Sequence, residues 1–195
     1  MRRFIRLDTP QYLAKNWETW GKRYAQNKTQ NSSHVFQWVT HQGQRLNQKI
    51  LPSLTAQTQS HCSYCDGYPM KISDETIDHF KPKGNHQFYH LAFQWENLYY
   101  CCAACQKSKW ESFHDDLLRP DDDDFSFQRY FIFNYSTGEI QANPAASENE
   151  IIRAKITIEI LGLNHIGQCI SRRHSVERFQ PDSNLEDFAY RFLFD

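Results

Sequence analysis

Four of the six cysteines in this 195-residue chain form two C-x2-C pairs, Cys62-Ser63-Tyr64-Cys65 and Cys102-Ala103-Ala104-Cys105. Two-residue spacing lets both thiolates of one knuckle reach a single tetrahedral ion, so the two pairs together predict a closed structural zinc site. A redox C-x-x-C role is the competing reading, weakened because neither pair opens a βαβ pattern. Cys101 and Cys169 fit neither spacing and read as buried small hydrophobes. The loop between the knuckles carries Asp78-His79-Phe80-Lys81-Pro82-Lys83 and Trp95-Glu96-Asn97-Leu98, and Gln106, Lys107 and Lys109 follow the second knuckle. The lysines could neutralise phosphates. His86, His90 and His114 lie in or beside the same segment and read as ordinary polar histidines.

This array resembles the HNH endonuclease family. More narrowly, it is similar to the HNH components of retron and Septu antiphage systems, with C-x2-C, [DE]-H-F-x-P-K, L-x-F-x-W-x-N-L and C-x2-C-N-x2-K in that order. Here these stand as Cys62/Cys65, Asp78 to Lys83, Leu91 to Leu98, and Cys102/Cys105 with Lys109, and the resemblance runs from residue 61 to about 165. It implies a ββα-metal core in which His79 is the general base and Asp78 a ligand of a catalytic Mg²⁺ or Mn²⁺. Asn97 would orient the loop and fix the histidine, and Gln106 would be the third polar residue turned back to that ion. Lys81, Lys83 and Lys109 would bind substrate. Gln106 departs from the family's usual Asn or His, and Trp110 replaces a small residue. The resemblance further implies a nucleic-acid substrate, DNA or RNA, and an SMC/ABC-like ATPase partner. A retron reverse transcriptase with its RNA-DNA hybrid is a further regulator it implies. The catalytic reading requires the His79 imidazole to meet an opening able to admit a phosphate.

The elements that must position these residues are read from periodicity. Thr9-Pro10 predicts a helix start, and Leu13, Trp17, Trp20 and Tyr24 continue it as one amphipathic helix. Val35, Trp38, Val39, Leu46 and Ile50 predict a second helix that Pro52 closes. Tyr130 to Phe133 and Ser136 to Ile140 predict a strand, a turn and a second strand. Ser147 to Glu150 predicts a capping box, with the helix ending near Gly162. Ser183 to Glu186 repeats that signal ahead of Phe188 to Leu193. The expectation is an α+β protein, mainly helical around a zinc-stabilised HNH core, with a small β-hairpin after it. It divides into a basic helical region (1–60), the zinc-knuckle core (61–120), and a hairpin with C-terminal helices (121–195), all within one folding unit.

Composition narrows the class. A 39% hydrophobic fraction with 15% aromatics supplies a core, which argues against global disorder. The longest apolar run, Leu98 to Cys105, is too short to span a bilayer, so no membrane role is expected, and the basic start lacks a signal-peptide centre. A cytoplasmic location, with reduced thiols, follows as an expectation. The net charge of −1 hides a basic first third and an acidic segment from residue 111 to 150. The basic end is the part suited to a polyanion, and the run Asp121 to Asp124 reads as a solvated loop. With so little net charge the chain should gain little counterion-release affinity alone and should need a partner. Besides a nuclease, the sequence allows a zinc-stabilised nucleic-acid- or protein-binding module without catalysis, or a structural adaptor.

Overall fold

The computed structural model describes residues 1–68 and 75–195. The single helix expected after Pro10 is two, α1 (Gln11–Ala14) and α2 (Trp17–Gln30). The break falls where the Asn16 side-chain amide donates to the Tyr12 carbonyl at 2.7 Å, an asparagine competing with the helix's own backbone bonds. Thr9 does not cap. Pro10 holds the N-cap position without a side-chain bond, and the Thr9 hydroxyl meets Glu96 instead. Gly21 and Tyr24 of α2 are buried, and a Cβ on Gly21 would lie 2.1 Å from the His90 carbonyl oxygen, so only glycine lets α2 lie this close to the loop between the knuckles.

The second predicted helix starts later than its periodicity implied. Residues 35–39 are irregular, and β1 (Thr40–His41) pairs with β2 (Gln44–Arg45) around Gln42-Gly43. Both turn residues have positive φ, 53° and 80°, as a two-residue type I′ hairpin requires. α3 (Leu46–Gln57) then contains Pro52 instead of ending at it. An interior proline costs about 3 kcal/mol. The i, i+4 stripe of Leu46, Ile50 and Leu54, all fully buried, offsets this at about 1.5–3 kcal/mol per side chain.

At the centre, β3 (Glu75–His79) runs antiparallel to β4 (Leu98–Cys102), with Asp78 opposite Tyr99 and His79 opposite Leu98. α4 (Ala103–Lys109) follows β4 without a break. Cys102 is its N-cap, with its sulfur accepting from the Cys105 amide at 3.5 Å. α5 (Phe127–Tyr130) leads into the predicted hairpin, β5 (Phe131–Phe133) with β6 (Ile140–Ala142). α6 (Glu148–Leu161) opens on the expected Ser147/Glu150 capping box and ends at Gly162, with φ 59°. α7 (Ile166–Arg178) follows. The second capping signal yields no helix. Asn184, not Ser183, caps a 3-10 turn over Leu185–Asp187, and a second 3-10 turn covers Arg191–Leu193. Between them Tyr190 takes φ 61°, which a continuous helix cannot include.

The molecule is thus a mixed α+β structure with small antiparallel strand pairs. One apolar cluster draws residues from Met1 to Phe192. Among the described residues no helix is long and apolar enough to cross a membrane. Asp123 and Asp124 are exposed, as a solvated loop requires, and Asp121 departs from that expectation. Asp121 is buried against Arg6 (2.7 Å) and Arg119 (3.0 Å) and accepts from the Tyr99 hydroxyl, because two guanidinium groups repay the desolvation of its carboxylate.

Candidate zinc centre and the adjoining Asp-His site

The two knuckles meet. Ligand atoms of Cys62, Cys65, Cys102 and Cys105 all lie within 4.8 Å of one another. Ligands about 2.3 Å from a tetrahedral zinc stand about 3.8 Å apart, and the Cys65 and Cys102 sulfurs are separated by 3.8 Å. The chain already orients the sulfurs, since backbone amides of Cys65 and Cys102 donate to Cys62 Sγ at 3.5 and 3.4 Å. Gln168 Nε2 of α7 adds a contact to Cys105 Sγ at 3.7 Å. Neighbouring thiols drive Cys102 toward the thiolate, with Cys105 the main donor, while Cys65 and Cys105 are pushed up, chiefly by their bonds to Cys102. Four sulfurs so close cannot share protons evenly, and a bound dication removes that conflict. The residues present fit zinc, and this cluster could hold one. Cys101 and Cys169 are buried as expected.

β3 delivers Asp78 and His79 beside this centre. Successive strand residues face opposite ways, and the contacts follow. Asp78, 5% exposed, accepts from the Tyr64 hydroxyl at 2.8 Å and pairs with the Lys109 ammonium at 3.0 Å. Burial raises its pKa, against the lowering pull of Lys109 and Tyr64. Lys109 is fully buried and also donates to the His79 carbonyl at 2.7 Å. That placement departs from a substrate-binding lysine: its charge is spent inside, joining the end of α4 to the end of β3.

His79 is 4% exposed. Its ring stacks on Trp38, with centroids 5.5 Å apart, and meets the edge of Phe36 at 5.2 Å. Its Nε2 lies 2.9 Å from the Ala92 carbonyl. A carbonyl can only accept, so the proton sits on Nε2 and Nδ1 carries the lone pair. Burial, then the Lys83 charge, lowers the His79 pKa to about 3. The imidazole is therefore neutral at physiological pH, and also a weak base. A cavity of about 160 Å³ is lined by Phe80, Lys81, Asn97 and Arg119 and not by His79. Among the described residues the ring is enclosed beneath Phe36 and Trp38, without the opening that the catalytic reading asks for.

Asn97 is buried and clasps the loop as expected. Its Oδ1 accepts from the Lys81 amide at 2.7 Å, and its Nδ2 donates to the Lys81 and Leu91 carbonyls at 3.0 and 3.1 Å. It fixes the loop, whereas the bond that holds His79 comes from Ala92. Gln106 Nε2 donates to the Ile77 carbonyl at 3.2 Å. Lys81 lies over the Phe88 ring, and Lys83 faces Glu111 at 3.9 Å and the Phe36 ring. Lys107, His86, His90 and His114 are exposed, and His114 turns to Asp116. Three acceptors are left over. His79 Nδ1, Asp78 Oδ1 and Gln106 Oε1 have no hydrogen-bond partner among the described residues, and none is among the buried polar atoms left without one.

Tyr64, Phe36 and Trp38 escaped the sequence reading. Tyr64 stands inside the first knuckle, but nothing local shows that its hydroxyl reaches Asp78. Trp38 belongs to the expected helix face and Phe36 has no assigned role in the sequence, and only the irregular path of residues 35–39 brings them to His79. No protein-family model and no curated protein matches the chain.

Proposed function

We propose that this chain is a metal-dependent HNH-type endonuclease that hydrolyses phosphodiester bonds of DNA or RNA. In this reading it works in the cytoplasm as the effector of an antiphage defence system, held or gated by an SMC/ABC-like ATPase. One observation carries the reading. Beside a four-cysteine cluster, an Asp-His strand end is clamped so that His79 Nδ1 remains an unused acceptor while Nε2 is tied to a carbonyl. A general base needs that tautomer.

The division of labour follows from the contacts. His79 Nδ1 takes the proton of the attacking water, and Ala92 keeps the ring from rotating. Asn97 holds residue 81 and so the loop that brings the phosphate to the ring. A hard divalent ion would be held by Asp78 Oδ1 and Gln106 Oε1, oxygens of the kind such ions choose. When bound it supplies positive charge to the leaving oxygen. The covering rings of Phe36 and Trp38 must shift for a phosphate to enter.

That cover also favours a second reading, a zinc-stabilised binding module without catalysis. Cleavage assays with Mg²⁺ or Mn²⁺, with and without an SMC/ABC-like ATPase as the proposed partner, separate the two. His79→Ala should lower the rate by about 10² to 10⁴ with zinc content intact. Equal rates for the variant and the parent, or no cutting of any nucleic acid by either, would leave the binding module.

A further inference from the structure

Trp110 occupies a position that its own fold does not favour. It is 75% exposed, and no ring or cation contact involves it among the described residues. The Ser112 amide donates to the Lys109 carbonyl at 2.8 Å, closing a four-residue turn in which Trp110 is second, with φ 47° and ψ −121°. These are the angles of the first central residue of a type II′ turn, a glycine position. A bulky side chain held there costs about 1–3 kcal/mol, and this one recovers little by burial. Glycine would serve the fold better, so the indole's worth lies outside the folded chain.

Both neighbours tie this turn to the proposed site. Lys109, one residue before, bonds the His79 carbonyl and the Asp78 carboxylate. Glu111, one residue after, accepts from the Gly84 amide at 3.0 Å and faces Lys83. Trp110 is thus pinned between the end of β3 and the loop that follows it. Its nearest acid is occupied, and Lys107 is exposed one helical turn away. A flat, solvent-facing indole with the exposed Lys107 one turn away suits an unpaired nucleobase, which offers a π-face and an adjoining phosphate.

We infer that Trp110 stacks on an unpaired base beside the scissile phosphate, so that the substrate is single-stranded nucleic acid. This rests on the nuclease reading. The test uses the zinc-loaded full chain and labelled single-stranded DNA, single-stranded RNA and duplex oligonucleotides, measuring anisotropy and, separately, cleavage. Trp110→Gly should weaken single-strand binding about 5- to 150-fold, the worth of one stacked base, without lowering Tm. Trp110→Tyr should retain most of the affinity. A glycine variant that binds and cuts single strands as the parent does overturns the stacking role and leaves the nuclease standing. So does a parent that prefers duplex. A parent that neither binds nor cuts any oligonucleotide overturns both.

Discussion

At the scale of single residues, His79 carries the largest consequence. The folded chain holds its imidazole near pKa 3, below the ordinary 6.5, mainly by burial. Between these values the unfolded chain binds a proton that the folded chain refuses, so stability falls as pH drops below about 6.5. The slope approaches about 1.4 kcal/mol per pH unit. Denaturant midpoints from pH 7.5 to 5 should therefore fall more steeply for the parent than for His79→Gln, a comparison that cancels the acid sensitivity of the cysteines. Parallel curves would mean that the ring takes up protons freely. The identity of this residue was legible from its place between two knuckles. Its enclosure was not, because Phe36 and Trp38 reach it from more than forty positions earlier, along an irregular stretch whose apolar spacing pointed to a helix instead.

Among elements, the junction of β3 and α4 matters most. Lys109 is fully buried against Asp78 and the His79 carbonyl. Removing one member of a buried pair leaves an uncompensated charge, at a cost of about 3–5 kcal/mol. Lys109→Met should lower stability by that amount in urea unfolding, and Asp78→Asn/Lys109→Met should recover much of it. A single variant as stable as the parent would show the pair to be solvated in solution. The elements themselves were unevenly legible. The Ser147 capping box, Gly162 and the β5–β6 hairpin follow from short-range chemistry and stand where the sequence puts them. Asn16 and the Gln42-Gly43 turn outvoted longer periodic patterns, since one hydrogen bond or one pair of positive φ angles decides a boundary that an apolar stripe only suggests, whereas at Pro52 the buried stripe of Leu46, Ile50 and Leu54 carries α3 through the expected stop.

For the whole molecule, the charge map differs from its linear reading. Arg2 pairs with Asp195 at 2.8 Å, Arg3 with Asp123 at 2.8 Å and Arg6 with Asp121 at 2.7 Å. The basic start is thus partly cancelled by acids from far along the chain, and fewer cations face a polyanion than the sequence implied. The tail folds back as well. Arg191 forms a buried ion pair with Asp66 at 2.7 Å, and the Tyr190 amide donates to the Asp66 carbonyl at 2.8 Å, one residue past the first knuckle. Zinc and tail should therefore be coupled. Chelation should expose residues 180–195 to protease while α6 persists, as mass spectrometry of the fragments would show. A tail equally resistant with and without metal would separate the two.

Asp66 and Arg191 stand 125 positions apart in the chain. At about 5–20 residues per second of synthesis, the aspartate emerges from the ribosome roughly 6–25 s before its guanidinium partner. Both cysteine knuckles are out well within that interval. A nascent chain whose four cysteines take up zinc could therefore do so first, and the segment around Arg191 would then fasten beside a centre already assembled.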